Sequence, residues 1–204
     1  MKTKPKPKSV ITPKPLSGFP EWLPEEKILE NKILALITKV YERYGFSPIE
    51  TPAVERRETL LAKGGNEKEI YALSRLKAVD DDTKDLALHF DLTVPLARYV
   101  AQHYNSLAFP FRRYQIQKVW RGERPQAGRF REFYQADIDV IGENELSLLT
   151  DAELLKVAYD IFAEMNIGPF VIRVNNRKIL QGYLEHLGVT QNLWLEVVNV
   201  VDNL

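Results

Sequence analysis

The chain has 204 residues, of which 45% are hydrophobic and 27% charged, the composition of an ordinary water-soluble protein. Lys plus Arg and Asp plus Glu number 28 each, and the formal net charge of zero excludes a general electrostatic attraction to nucleic acid or membrane. Cysteine is absent, which excludes disulfides and thiolate metal sites, and the three histidines are scattered. Since no apolar run matches a membrane span or a secretory signal, we expect a cytoplasmic protein without a structural metal.

The N-terminus is basic and rich in proline. Five of the 28 basic residues lie in the first fifteen positions, MKTKPKPKSVITPKP, without one acid. Alternating proline disfavours a helix and leaves an extended, solvated segment. We therefore predict a flexible arm over residues 1–20 and a globular domain over residues 21–204.

A long helix follows the arm. In PEEKILENKILALITKVYERYG the apolar residues recur at helical spacing, with Pro24 near the start and Gly45 as the stop. The next segment, FSPIETPAVE, carries Pro48 and Pro52, which suit an edge strand or an interface rather than a central strand. RRETLLAKGG then predicts a short helix that ends at its two glycines.

The segment LALHFDLTV alternates strictly between apolar and polar residues and predicts a strand. His89, Asp91 and Thr93 share its polar face. Thr93 stands just before a helix predicted from Pro95 and suits a helix cap. Capping does not explain Asp91, which remains a candidate ligand-binding carboxylate.

Residues 112–142, RRYQIQKVWRGERPQAGRFREFYQADIDVIG, predict two strands joined by a loop. Period-2 alternation in the second strand places one apolar set on one face and a polar set on the other. The apolar set is Tyr134, Ala136, Ile138 and Val140, and the polar set is Gln135, Asp137 and Asp139.

The loop of this hairpin is rich in arginine, with Arg121, Arg124, Arg129 and Arg131. Guanidinium groups suit phosphate because they donate two parallel charge-assisted hydrogen bonds. The amide and carboxylates of the polar face are acceptors that suit an ammonium or an imidazole. The residues alone leave an alternative open, in which the arginines pair with Glu123, Glu132 and other acids on a solvated surface.

The C-terminal part predicts further helices and one strand. Thr150 and Glu153 have capping-box spacing before a helix that ends near Gly168. FVIRVNN predicts a strand, NRKILQGYLEHLG a helix, and NLWLEVVNVVDNL an apolar element without a terminating residue. We therefore expect the chain to be either a fragment of a longer protein or an unusually short natural protein.

Four segments in this order resemble the histidyl-tRNA synthetases, a family of class II aminoacyl-tRNA synthetases, from about residue 23 to residue 201. YGFSPIETPAVE resembles the first motif, with Pro52 as the motif proline at a dimer interface, and LHFDLTVPLARY the amino-acid-binding strand. KVWRGERPQAGRFREFYQADIDVIG resembles the second motif with its loop, and VIRVNNRKIL the strand and helix before the insertion region. The resemblance implies an α+β fold in which helices flank an antiparallel β-sheet.

It also implies an incomplete class II catalytic core, because the third motif, the histidine-specific segment and the anticodon-binding domain have no match. Arg121 would grip the substrate carboxylate and the α-phosphate of ATP, Glu123 would contact adenine, and Arg129 would approach the γ-phosphate. The histidine pocket would consist of Asp91, Thr93 and Gln135 for the α-ammonium and Asp139 for the imidazole. Some members of the family carry glutamate where this chain has Asp91 and Asp139.

The implied function is that of a histidine-tRNA ligase acting as a homodimer on L-histidine, ATP and tRNA(His), with Mg²⁺ neutralising the phosphates. Its metal ligands are unknown, and the isolated 204 residues are expected to be inactive or impaired. One rival is a synthetase-like regulatory subunit of histidine biosynthesis that lacks aminoacylation. Another is a nucleic-acid-binding fragment, which the mildly acidic body of the chain disfavours.

Overall fold

The computed structural model describes residues 12–62, 64, 67–76 and 85–201. Most of the predicted arm, residues 1–11, lies outside this part of the chain. The chain divides into two compact units, Met1–Asn166 and Ile167–Leu204. No helix within the described residues is long and apolar enough to cross a membrane.

The first unit contains four α-helices and five β-strands among its described residues. Its helices are α1 (Pro24–Arg43), α2 (Arg57–Leu61), α3 (Thr93–His103) and α4 (Leu149–Met165), and its strands are β1 (Ser47–Pro48), β2 (Val54–Arg56), β3 (Leu86–Leu88), β4 (Phe111–Trp120) and β5 (Glu132–Ile141). The second unit contains α5 (Arg177–His186) and α6 (Trp194–Val201). The predicted long helix, short helix and hairpin are all confirmed.

The hairpin of β4 and β5 supplies two of the three strands of the sheet, which has the order β1-β4-β5 with β4 in the middle. Its two strands pair antiparallel over ten residues each, from Phe111 opposite Ile141 to Trp120 opposite Glu132. The two-residue β1 adds to β4 in parallel, while β2 and β3 form a separate antiparallel pair. The predicted α+β fold is confirmed, and the short parallel strand is its one departure from antiparallel pairing among the described strands.

One face of the hairpin packs against α1 and α4. The buried core consists of Val40, Tyr41, Phe46, Tyr114, Val157 and Ile161, with Ala136, Ile138 and Val140 packed against it. The hydroxyl of Tyr41 donates to the Ala136 carbonyl at 3.1 Å, and burial raises the pKa of Tyr41 to about 12. The predicted apolar face of β5 is therefore confirmed, and the opposite face is left for polar groups.

The strand predicted through Val94 is too long. β3 ends at Leu88, and α3 begins at Thr93. Asp91 Oδ1 accepts a hydrogen bond from the Val94 backbone N–H at 3.2 Å, whereas Thr93 is exposed and makes no cap. An aspartate side chain that bonds a backbone N–H further along the chain stabilises a turn and competes with strand continuation. The prediction that Thr93 caps the helix is therefore wrong, and Asp91 does so.

Two further local predictions are wrong. The capping box of Thr150 and Glu153 does not form, because Glu153 instead accepts two hydrogen bonds from the Arg112 guanidinium at 2.9 and 3.0 Å. Residues 170–176 form no strand, and Asn176 caps α5 by accepting from the Lys178 backbone N–H at 2.9 Å. A strand needs a neighbour to pair with, and the described residues of the second unit include no other strand.

Candidate active site

The polar face of the hairpin is built from both strands. The register places Arg113 opposite Asp139, Gln115 opposite Asp137, and Gln117 opposite Gln135. Directly opposed residues in an antiparallel pair project to the same face, within reach of one another. The predicted polar face of β5 is thus confirmed, and β4 adds three polar side chains that the sequence reading did not select.

Arg121 lies just beyond the end of β4 and is held from several sides. Its Nε donates to the Phe90 carbonyl at 3.3 Å, and its Nη2 donates to Gln135 Oε1 at 3.1 Å. The guanidinium carbon is 4.6 Å from the ring centroid of Phe90 and 5.0 Å from that of Phe133, both cation–π distances. Because Nη1 has no hydrogen-bond partner among the described residues, the group is fixed in orientation and still has donors for a ligand.

Gln135 links Arg121 to Asp137. Its Oε1 accepts from Arg121, and its Nε2 donates to Asp137 Oδ2 at 2.8 Å. This chain of hydrogen bonds fixes which end of the amide faces each neighbour. The structure therefore brings Arg121 and Gln135 together as predicted, and adds Asp137 as the residue that orients the amide.

Asp91 and Thr93 lie at the start of α3, beside this group. Asp91 is half-buried, and the residue before it, Phe90, receives the hydrogen bond from Arg121. Arg121 thus connects the Asp91 turn with the polar face of β5. Thr93 is exposed, and the structure shows no contact that brings it to Gln135.

Asp139 forms an ion pair with Arg113. The Arg113 side chain is fully buried, whereas that of Asp139 is 36% exposed. Burial raises the pKa of Asp139 and the neighbouring Asp137 raises it further, while the Arg113 guanidinium acts in the opposite direction. The predicted imidazole acceptor is therefore engaged with a cation in the structure.

The loop between the strands borders a partly open cavity of about 230 Å³. Arg129 Nε lies 3.2 Å from Glu123 Oε2, and backbone hydrogen bonds between Gln126 and Arg129 close the loop. Glu132 does not join the loop arginines, since it pairs with Lys118 at 2.6 Å. The predicted pairing of loop arginines with acids therefore occurs between Arg129 and Glu123 but not at Glu132, and phosphate binding by the loop stays a prediction. The cavity is lined by Arg121, Glu123, Gly128, Arg129, Phe130 and Phe133.

Residues 18–203 match the family model described as histidyl-tRNA synthetase. The chain belongs to the histidyl-tRNA synthetase family. It is 54% identical to the histidine--tRNA ligase of Thermobifida fusca over 197 residues, which is 96% of this chain and 44% of that protein. The chain therefore spans less than half the length of this relative.

Two solved structures also match. The crystal structure of the histidyl-tRNA synthetase from Nostoc sp. PCC 7120 has a TM-score of 0.81 at 50% identity, over 94% of this chain and 43% of that chain. An ATP phosphoribosyltransferase regulatory subunit/histidyl-tRNA synthetase from Bacillus halodurans matches with a TM-score of 0.63 at 23% identity, over 76% of this chain and 39% of that chain. The second match shows a shared fold only. Together with the family match, the first confirms the class II resemblance inferred from the motifs.

In this chain the loop between β4 and β5 packs against the segment that precedes α1. The backbone N–H of Arg131 donates to the Gly18 carbonyl at 2.7 Å, and Arg131 Nε donates to the Glu123 carbonyl at 3.0 Å. The ring of Trp22 meets that of Phe130 edge to face, with centroids 6.0 Å apart. Arg131 therefore connects the loop to the segment beneath it, a structural role that the sequence reading did not assign.

We expect Gly18→Ala to weaken the packing between the loop and the segment that precedes α1, and so to lower the stability of the chain. Gly18 has φ +85°, and an added Cβ would lie 2.9 Å from Arg131 Cγ and 3.1 Å from Pro125 Cβ. The backbone strain alone costs about 1–2 kcal/mol, and the collision adds to it. Gly45→Ala is the control, because Gly45 has φ +76° with nothing within 4 Å. Urea unfolding should show the larger loss for Gly18→Ala, and equal losses would contradict the supporting contact.

Proposed function

We propose that this chain forms the ATP- and histidine-binding part of a histidine-tRNA ligase catalytic domain. The observation that carries the proposal is the fixed guanidinium of Arg121, which lies between the loop cavity and the polar face of the hairpin. A cation at that position has access to a phosphate on one side and an amino-acid carboxylate on the other. Membership of the histidyl-tRNA synthetase family supports the same assignment.

In the first reaction step, a carboxylate oxygen of histidine attacks the α-phosphorus of ATP. A bond forms between the carboxylate and the phosphate, and the bond to the β-phosphate breaks to release pyrophosphate. Arg121 donates from Nη1 to the charge that develops on these oxygens, and its preset orientation lowers the cost of reorganisation. In the second step, a terminal ribose hydroxyl of tRNA(His) takes the histidyl group, and AMP leaves.

The loop residues bind the nucleotide in this proposal. Glu123 contacts adenine and Arg129 approaches the γ-phosphate, so their mutual ion pair at 3.2 Å opens when ATP enters. This exchange is favourable because phosphate offers the guanidinium more acceptor oxygens than one carboxylate does. The aromatic rings of Phe130 and Phe133 line the same cavity and supply apolar surface for the base.

The polar face binds histidine. Asp91, Thr93 and Gln135 accept from the α-ammonium, and Asp139 accepts from the imidazole. The described residues contain no group of three or more His, Asp or Glu side chains suited to a metal ion. In this proposal Mg²⁺ enters with the nucleotide, as a counter-ion of the ATP phosphates that usually keeps several waters.

The proposal includes a homodimer through the first-motif region and an enzyme that works in the cytoplasm. Pro52 is exposed, and Val54 in the adjacent β2 is 38% exposed. Both side chains lie at or beside the short strand β2, where a dimer contact of the first-motif region would cover them.

The test is histidine-dependent exchange of pyrophosphate into ATP by the full-length gene product. We expect exchange with histidine and only background without it, because adenylate formation is reversible. The chain spans only 44% of the length of its Thermobifida fusca relative, so the isolated chain is the negative comparison. Histidine binding without exchange in the full-length protein would contradict the ligase and favour the regulatory subunit.

A further inference from the structure

Arg113 is a buried cation that the family motifs do not assign. Its side chain is fully buried, and its Nη1 donates to Gln115 Oε1 at 3.4 Å. Nη2 forms the ion pair with Asp139 Oδ2, and Nε has no hydrogen-bond partner among the described residues. Burying a guanidinium whose Nε is unpaired is costly, so stability alone is a poor explanation for this residue.

The surroundings of Asp139 favour its neutral form. Burial and the adjacent Asp137 both raise the pKa of Asp139, and Arg113 is the cation that opposes them. The groups acting on Arg113 are Asp139, Asp137 and the Tyr41 hydroxyl. Because the pKa of Tyr41 is about 12, that hydroxyl is neutral near pH 7. The charge state of Asp139 therefore depends on Arg113.

The charge state matters for what Asp139 can bind. An ionised carboxylate only accepts hydrogen bonds, whereas a protonated carboxyl also donates one. The imidazole N–H of histidine needs an acceptor. Arginine is suited to hold the anion because its own high pKa keeps it charged even when burial lowers that pKa, as it does here.

We propose that Arg113 is a positioning residue that acts through Asp139 in the selection of histidine. This inference rests on the proposed function. Its buried guanidinium holds Asp139 as the anion that accepts a hydrogen bond from the histidine imidazole. The ion pair engages Oδ2, and Oδ1 has no hydrogen-bond partner among the described residues. Arg113 thus acts on histidine through Asp139 without touching the substrate.

The experiment compares Arg113→Met with the wild type in two measurements. In this chain, ¹³C-carboxylate NMR follows the titration of Asp139. In the full-length gene product, the pH profile of KM for histidine is set against KM for ATP. Loss of the cation should raise the titration midpoint by about one pH unit or more. Because Asp139 then protonates at higher pH, the acid-side rise in KM for histidine should begin at correspondingly higher pH, about tenfold per unit.

Two variants serve as controls. Arg113→Lys keeps the charge and should reverse part of both shifts seen with Arg113→Met. Arg112→Met removes the neighbouring arginine, which projects to the opposite face and pairs with Glu153, and should leave the Asp139 midpoint in place. If Arg113→Met does not fold, Arg113→Gln replaces it in both measurements.

The outcomes separate the two proposals. An unmoved Asp139 midpoint, or equal rises in KM for histidine and ATP at every pH, contradicts the role of Arg113. Absence of exchange in the wild-type full-length protein contradicts the proposed function, and the imidazole role falls with it. If the wild-type protein shows normal exchange, and in Arg113→Met the KM for histidine begins to rise at the same acidic pH as in the wild type, only the inference about Arg113 is contradicted.

Discussion

Arg121→Ala should lower histidine-dependent pyrophosphate exchange by about 10²–10³-fold in the full-length gene product, the loss typical of one preorganised charge-stabilising donor. Arg121 is held by the Phe90 carbonyl, by Gln135 and by the rings of Phe90 and Phe133. In the proposed function, Arg121 presents a guanidinium whose direction is fixed before the substrates arrive. Because the proposed role of that charge is to stabilise the transition state, the loss should appear mainly in kcat.

Two further variants sharpen this prediction. Arg121→Lys keeps a positive charge but loses the planar fork and the contacts with both rings, so its activity should also be strongly reduced. Arg43→Ala removes an arginine of α1 whose ion pair with Glu164 of α4 lies on the helical side of the sheet, and it should keep normal exchange. Normal exchange by Arg121→Ala, with an unchanged circular dichroism spectrum, would remove Arg121 from the mechanism.

Arg98→Met should cause the largest loss of stability among the variants considered. Glu55 in β2 is only 6% exposed, and Arg98 of α3 binds both of its oxygens, with Nε at 2.8 and 3.0 Å and Nη2 at 2.6 Å. Removing the arginine leaves a buried carboxylate without its cation. Breaking a buried pair from one side costs about 3–5 kcal/mol, and the 31% exposure of Arg98 favours the lower end.

Urea unfolding of this chain measures the effect, and a double variant tests its cause. Glu55→Gln combined with Arg98→Met removes both charges and should recover part of the loss, because an amide costs less to bury than an unpaired carboxylate. Lys156→Met is the comparison, since the lysine in its pair with Asp160 is 57% exposed, and this variant should lose much less stability than Arg98→Met. If Arg98→Met and Lys156→Met lose equal stability, the buried pair does not contribute as argued.

The parts of the fold that sequence predicts well are those set by local periodicity. The helical spacing of α1 and the alternation in β5 depend on neighbours a few residues away, and both are confirmed. The polar partners from β4 were missed because they depend on the hairpin register. That register is set by an irregular loop of eleven residues between Trp120 and Glu132, whose geometry a residue pattern does not specify.

The errors at Asp91 and Glu153 have a common physical cause. In each case the prediction used only neighbours in the sequence, whereas the hydrogen bond that forms depends on how the chain folds. Asp91 caps α3 instead of extending a strand, and Glu153 binds Arg112 from β4 instead of capping α4. The sequence therefore predicts which charged residues form the candidate site, while the specific pairs, including Arg113 with Asp139, depend on the three-dimensional arrangement.

The order β1-β4-β5 leaves β5 with one neighbour among the described residues. Half of the backbone N–H and C=O groups along this ten-residue strand therefore face outward from the sheet. A strand added there would extend the polar face by one column of side chains beside Gln135, Asp137 and Asp139. The same row of groups accepts any extended chain, including another copy of this one, so the edge that can enlarge the site is also where self-association would begin.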